Sequence, residues 1–264
     1  MSVQEDDFTP ASYTPTDHEL IYLRESLGGF FSEQWFSDIL FKVKGGKEAT
    51  VYCCQAPRGE LIAAKVYRPR MFRAMRNDWF YRIGRTSIGP DGKMEFRGRA
   101  QRALQKKTRF GKRIEMASWN QHEFHILTAL HNAGADVPKP LAHGPNSILM
   151  EYLGDETGAA PVLHSVRLEP GVAAAVMERL LRNVELMLEH CIIHGDLSAH
   201  NVLYHDGRAF LIDFPQAVNI DHHPAAYELL SRDVDRLCRY FIKQGIDCNA
   251  GRITDERWRR FMAM

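Results

Sequence analysis

The sequence predicts an α+β fold of two lobes, a small β-rich N-terminal part followed by a mainly helical C-terminal part. Three observations lead there. Two apolar runs, Val51-Tyr52-Cys53-Cys54 and Leu61 to Tyr67, flank a turn at Pro57, Arg58 and Gly59. Ser147 to Tyr152 reads as one more buried strand, ending at Gly154. After it, apolar spacing of three and four residues dominates and predicts long helices.

Taken in order, residues 1–20 hold five acids, no Lys or Arg, Pro10 and Pro15, the composition of a disordered acidic tail. Residues 19–40 predict one or two short helices, and the strand pair follows. Residues 115–131 read as a helix with Met116, Trp119, Ile126, Leu127 and Leu130 on one stripe. Glu123 falls in that same stripe, and a carboxylate on an apolar face needs a cationic partner. Lys65, in the middle of an apolar strand, is the candidate. In the C-terminal part a helix is expected over 170–190, with apolar positions 172, 176, 180, 184, 187 and 188. Short strands at 202–204 and 209–212 surround Asp206-Gly207, a strong hairpin signal. A last helix spans 225–243. The expected division is a tail over 1–20, an N-lobe over 21–150 and a C-lobe over 151–264.

Composition narrows the function classes. The 264 residues are 45% hydrophobic, enough for a sizeable core. No run of about 18 apolar residues occurs, and no basic stretch leads into an apolar N-terminal segment. Five cysteines without a CxxC pair read as reduced thiols, so a cytoplasmic protein with no membrane association is expected. The net charge of +1 hides a basic block: Arg68 to Arg113 holds 15 Lys or Arg against three acids. With Trp79, Phe80, Tyr81 and Phe110 interleaved, this expected flexible loop over 68–113 points to an anionic partner such as RNA.

The chemistry sits between 192 and 218. His194-Gly195-Asp196-Leu197-Ser198-Ala199-His200-Asn201 places an Asp five residues before an Asn, and a hairpin then returns the chain to Ile212-Asp213-Phe214. Phosphoryl transfer needs a cation on the phosphates, carboxylate and amide ligands for Mg²⁺, and a base near the attacking hydroxyl. Asp196 suits the base, Asn201 and Asp213 the metal, and Lys65 with Glu123 the phosphates. Gly45-Gly46-Lys47-Glu48-Ala49, placed before the first strand, can bring backbone N–H groups over ATP. Asp221-His222-His223 reads as a surface turn rather than a metal site. Ser198 has no base-and-orienter pair, and Cys53 with Cys54 reads as packing.

These residues resemble the RIO-type atypical protein kinases. Gly46-Lys47-Glu48-Ala49 is similar to their phosphate loop, Asp196-Leu197-Ser198 through Asn201 to their catalytic loop, and Ile212-Asp213-Phe214-Pro215-Gln216 to their metal motif. The resemblance covers about residues 40–245. It implies a protein-kinase-like fold lacking an activation segment, in the branch without an N-terminal winged helix. It also implies Asp196 as the catalytic Asp, Asn201 and Asp213 as Mg²⁺ (or Mn²⁺) ligands and Lys65 as the ATP lysine. Met150, Glu151, Tyr152 and Leu153 would be the adenine-contacting segment. Family members phosphorylate serine on themselves, some form a phospho-aspartate at the metal Asp, and many act as ATPase switches in ribosomal subunit maturation. Lys44-Gly45 departs from the usual Ser-Thr of the phosphate loop.

The reading is therefore an ATP-dependent serine/threonine protein kinase acting on a protein or on itself. Two alternatives remain. One is a small-molecule or sugar kinase of the aminoglycoside-phosphotransferase or lipopolysaccharide-kinase kind, against which the 154–193 connection of about 40 residues is short. The other is a slow ATPase that binds RNA or a ribosomal particle through the basic loop.

Overall fold

The computed structural model describes residues 8–46, 48–68 and 109–264, with 109–119 and 222 described by backbone alone. Most of the expected basic loop, and Lys47, therefore lie outside the described residues. The described chain forms two units: one holds 8–68, 109–124 and 139–159, the other 125–138 and 160–264. The expected lobe boundary at 150/151 thus falls inside the first unit.

The first unit is built on an antiparallel five-stranded sheet. Helix α1 (Asp17–Ser32) leads into β1 (Asp38–Gly45), β2 (Ala49–Gln55) and β3 (Leu61–Tyr67). After helix α2 (Arg109–Asn132) come β4 (Pro140–His143) and β5 (Ser147–Glu151), in spatial order β1-β2-β3-β5-β4. Side chains alternate across the central strand β3. Ile62, Ala64 and Val66 pack with Leu23, Leu27 and Phe30 of α1. Ala63, Lys65 and Tyr67 take the opposite face, where Cys53 and Tyr152 pack against Ala63, and Ile148 and Phe124 against Tyr67. Lys65 is thus on an interior strand and is buried with the core.

Two expectations are corrected here. Residues 8–20 are not a disordered tail: Phe8 is buried against Phe31 and Phe36, and Thr16 caps α1 by accepting from the Glu19 N–H at 3.3 Å. Glu19 in turn accepts from Tyr52, Lys42 and Tyr13, which ties the helix start to the sheet. The acidic composition misled because one of these acids, Glu19, is bound within the fold. Second, the glycine loop does not precede the first strand. It joins β1 to β2, because 38–45 is itself a strand. Its alternation is broken by register shifts at Ile39/Phe41 and Lys42/Lys44, and only Ile39 is buried, so its pattern does not show in the sequence.

In the second unit, α3 (Pro170–Glu189) starts with Pro at its first turn, where the missing N–H is harmless. It buries Val176, Leu180, Val184, Met187 and Leu188, whereas Val172, expected on that stripe, is 42% exposed. Strand β8 (Ile192–Ile193) pairs with β11 (Val218–Asn219). Strands β9 (Val202–His205) and β10 (Arg208–Leu211) form the expected hairpin. Asp206 and Gly207 have φ of 48° and 76°, the two positive values that such a tight turn requires. (The short pair β6, Gly154–Asp155, and β7, Gly158–Ala159, closes the first unit.) Helix α4 (Ala226–Lys243) matches the predicted last helix, but α5 (Ala250–Met262) follows it. Only Ile253 and Thr254 of α5 are buried, so its sequence carries little apolar signal.

Candidate active site

In the first unit, alternation along β3 sends the Lys65 side chain to the face that meets α2. There Lys65 Nζ lies 2.7 Å from Glu123 Oε1, and both groups are buried. Tyr67, two residues along the same face, donates its hydroxyl to Glu123 Oε2. Gly46 N–H donates to Ala49 O at 2.8 Å and closes the β1–β2 turn. A Cβ on Gly46 would stand 3.2 Å from that carbonyl, so the turn is tight. Glu48 O accepts from Arg68 N–H at 2.7 Å, which anchors the turn beyond the end of β3. Met150 and Glu151 end β5 as half-buried and exposed residues, while Tyr152 and Leu153 are buried. Glu151 is held by reciprocal contacts with the backbone of Lys139.

In the second unit, β8 delivers the chain into His194-Gly195-Asp196, with Gly195 at φ 76°. Two backbone N–H groups of this loop, Gly195 and Leu197, donate to the two oxygens of Asp233 at 2.8 and 3.1 Å. Asp233 lies in α4 and is 2% exposed. Burial pushes its carboxyl up to about 6, against the opposing pull of His194, Arg232 and the two N–H donors. Arg232 donates to Gly195 O, and Arg236, one turn further, donates to Asp196 Oδ1 at 2.6 Å. One face of α4 thus clamps the loop by its backbone and by its acidic side chain.

Asn201 closes the loop. Its Nδ2 donates to Asp196 O at 2.8 Å and to Asp196 Oδ2 at 3.2 Å. The amide nitrogen is committed to Asp196, which leaves the amide oxygen as the atom that could ligate a cation. The Asn201 carbonyl accepts from Ile212 N–H at 3.0 Å, and the Ile212 carbonyl lies 3.1 Å from His194 Nε2. A carbonyl only accepts, so Nε2 carries the His194 proton. These bonds fasten the segment before Asp213 to the 194–201 loop. Asp213 is exposed with φ 70°, a strained conformation for a residue with a Cβ and one found at functional sites. Phe214 is buried against the His194 ring. An amide oxygen and an exposed carboxylate are hard donors that fit Mg²⁺, which keeps its remaining positions for waters and phosphate oxygens. His223, set aside as surface, is buried, and its Nδ1 accepts from Ala225 N–H.

The structure therefore brings Lys65 to Glu123, and Asp196 to Asn201. Sequence reasoning missed Tyr67, Asp233, Arg232 and Arg236. Asp233 was within reach: it stands three residues after Leu230 and four before Leu237, inside the apolar stripe of α4. Like Glu123, it is a carboxylate on an apolar face and needs partners there.

A buried lysine–glutamate pair, an Asp-to-Asn loop and an Asp after a hairpin define a phosphoryl-transfer enzyme of the protein-kinase-like class. The model of the RIO domain matches residues 50–253, and the chain belongs to this family of serine/threonine-protein kinases. It is 36% identical over 137 residues to the RIO-type serine/threonine-protein kinase Rio1 of Thermoplasma acidophilum, covering 52% of this chain and 70% of that protein. It is 34% identical over 211 residues to Rio1 of Haloferax volcanii, covering 78% and 64%. Against the serine/threonine-protein kinase rio1 of Schizosaccharomyces pombe the identity is 29% over 215 residues, and only 40% of that longer protein is spanned. Among solved structures, the ADP/Mg²⁺-phosphoaspartate complex of the Rio2 kinase from Chaetomium thermophilum has the same two-lobed fold. The TM-score is 0.63 at 20% identity, with 94% of this chain and 70% of that one covered.

Proposed function

We propose that this chain transfers the γ-phosphate of ATP to a serine or threonine hydroxyl, on itself or on a protein substrate. The observation that carries the proposal is the anchoring of Asp196. Its carboxylate is held by Arg236 and Asn201 while its loop is held by Asp233, so the base is aimed before any substrate arrives. In this reading Asp196 takes the hydroxyl proton, and Lys65, oriented by Glu123, holds the α- and β-phosphates. Gly45, Gly46, Glu48 and Ala49 supply the turn over the phosphates together with Lys47. Met150, Glu151, Tyr152 and Leu153 receive the adenine. Asn201 and Asp213 bind Mg²⁺, or Mn²⁺ in its place, and the ion neutralises charge on the phosphates. Five free cysteines suit the reducing cytoplasm, and among the described residues no helix is long and apolar enough to cross a membrane.

The test is γ-labelled ATP incubated with the protein alone and with a protein acceptor. Label stable on Ser or Thr, lost in Asp196→Ala, is the expected result; absence of Asp196-dependent transfer removes the proposal. The charge excess of 68–113 favours a second reading, an ATPase cycle coupled to RNA or a ribosomal particle. It calls for free phosphate, or label on Asp213 released by hydroxylamine, and for RNA affinity that falls steeply with salt.

A further inference from the structure

Beside Asp196 lies a cavity of about 490 Å³ lined wholly by residues of the second unit. The catalytic loop supplies one side of it, and α4 supplies Arg236, Arg239 and Lys243. These three recur at intervals of three and four residues, so they share one face of the helix. Among the lining residues three permanent cations stand against a single carboxylate, Asp196. Arg236 is engaged with Asp196. Arg239 pairs with Asp235 at 2.7 Å, one turn back, with side chains 74% and 42% exposed. An exposed pair of this kind holds little energy, so Arg239 can exchange Asp235 for an incoming anion. Nothing in the transfer chemistry requires Arg239 or Lys243.

We propose that this cavity is the acceptor subsite and that it selects a serine or threonine flanked by acidic side chains in a peptide segment. The proposal rests on the kinase reading of Asp196. A hydroxyl entering the cavity meets Asp196, and carboxylates beside it in sequence meet Arg239 and Lys243. A volume of this size suits a small ligand or a few side chains. A nucleic-acid strand is a poorer fit, because binding it calls for a row of aromatic platforms. Here the His164 and His200 rings stack on each other at 3.9 Å, and Tyr240 is buried with its hydroxyl donated to Val166 O.

The test uses a fluorescent peptide with one serine among glutamates, a second with the serine among lysines, and the full chain. Anisotropy should show the acidic peptide binding about tenfold tighter or better. Arg239→Glu combined with Lys243→Glu should abolish that preference and raise KM for the acidic peptide far more than it changes kcat. Arg239→Gln with Lys243→Gln, a milder change, should give an intermediate loss, and thermal unfolding reports whether either variant is folded. Equal binding of the two peptides, or affinity indifferent to both variants, overturns the proposal. So does a single-stranded RNA oligomer that binds more tightly and is displaced by the same substitutions. Charge-dependent peptide binding without Asp196-dependent transfer would keep the subsite and overturn the kinase reading. Transfer without charge dependence would do the reverse.

Discussion

Lys65 Nζ sits 2.7 Å from Glu123 Oε1, joining two positions 58 residues apart in the chain. Both groups are removed from water, and Tyr67 also donates to the carboxylate. Taking two charges out of water is repaid only by close geometry, so the pair is a poor choice for stability alone. Its retention in an apolar core fits a role in placing the ammonium.

Glu123→Gln should lower unfolding stability by roughly 3–5 kcal/mol, because the buried ammonium loses its carboxylate. Lys65→Met with Glu123→Leu should recover most of that stability and still fail to bind ATP. Urea unfolding and nucleotide titration measure the two effects separately. Nucleotide binding that returns with stability would remove Lys65 from the phosphate site.

Asp196→Ala should reduce phosphoryl transfer by several orders of magnitude while nucleotide binding stays near wild type, since its proposed role is to orient and deprotonate the acceptor. Arg236→Ala frees the same carboxylate without deleting it. A smaller loss, on the order of 10–100-fold in kcat, is expected there from misplacement. Single-turnover transfer assays resolve the two, and equal losses would contradict the division of roles.

Asp233 makes stability depend on pH with a defined sign. Its folded value, about 6, lies above the ordinary 3.8. The folded protein therefore holds the proton more tightly. The group's contribution is fully present below about pH 4 and is lost as pH rises through about 6. Across that window the difference in unfolding free energy between wild type and Asp233→Asn should fall by up to about 3 kcal/mol. Urea denaturation at pH 4.5, 5.5 and 7 tests this. A difference that stays level would show that Asp233 titrates normally.

Asp136 behaves in the opposite sense. Burial pushes its carboxyl up, but hydrogen bonds from Arg179, Arg208 and Asn183 outweigh this and hold it below the usual range. Its contribution is present above about pH 4 and is lost as pH falls through the lowered folded value. The same residue's carbonyl accepts from Leu211 N–H, two residues before Asp213. Asp136→Ala should cost about 2–3 kcal/mol at pH 7 and less in acid. A loss that grows on acidification would contradict the assignment.

Much of the fold was legible because local rules and tertiary demands agree. The helices at 109–132, 170–189 and 226–243 carry apolar stripes, and the hairpins at 55–61 and 205–208 carry residues suited to their turns. What stayed hidden has a physical cause in each case. Strand β1 is an edge strand with bulges and one buried side chain, so it has no period to detect. Helix α5 packs through few buried residues. The segment before α1 looked disordered because Glu19, counted as tail charge, accepts hydrogen bonds from the sheet, while the cap comes from Thr16.

For the site, the chain by itself determined which groups are present and how far apart they stand along the backbone. Asp196 with Asn201 sits in one loop, Asp213 follows one hairpin later, and an uncompensated Glu123 demands a cation. Short loops limit where such groups can point, which is why spacing alone carries that information. Only the tertiary structure decided what holds them. The commitment of Asn201 Nδ2 to Asp196, the Arg236 contact and the seat that Asp233 provides join residues up to 40 positions apart. Such contacts depend on how α4 packs beside the loop, and no local spacing encodes that packing.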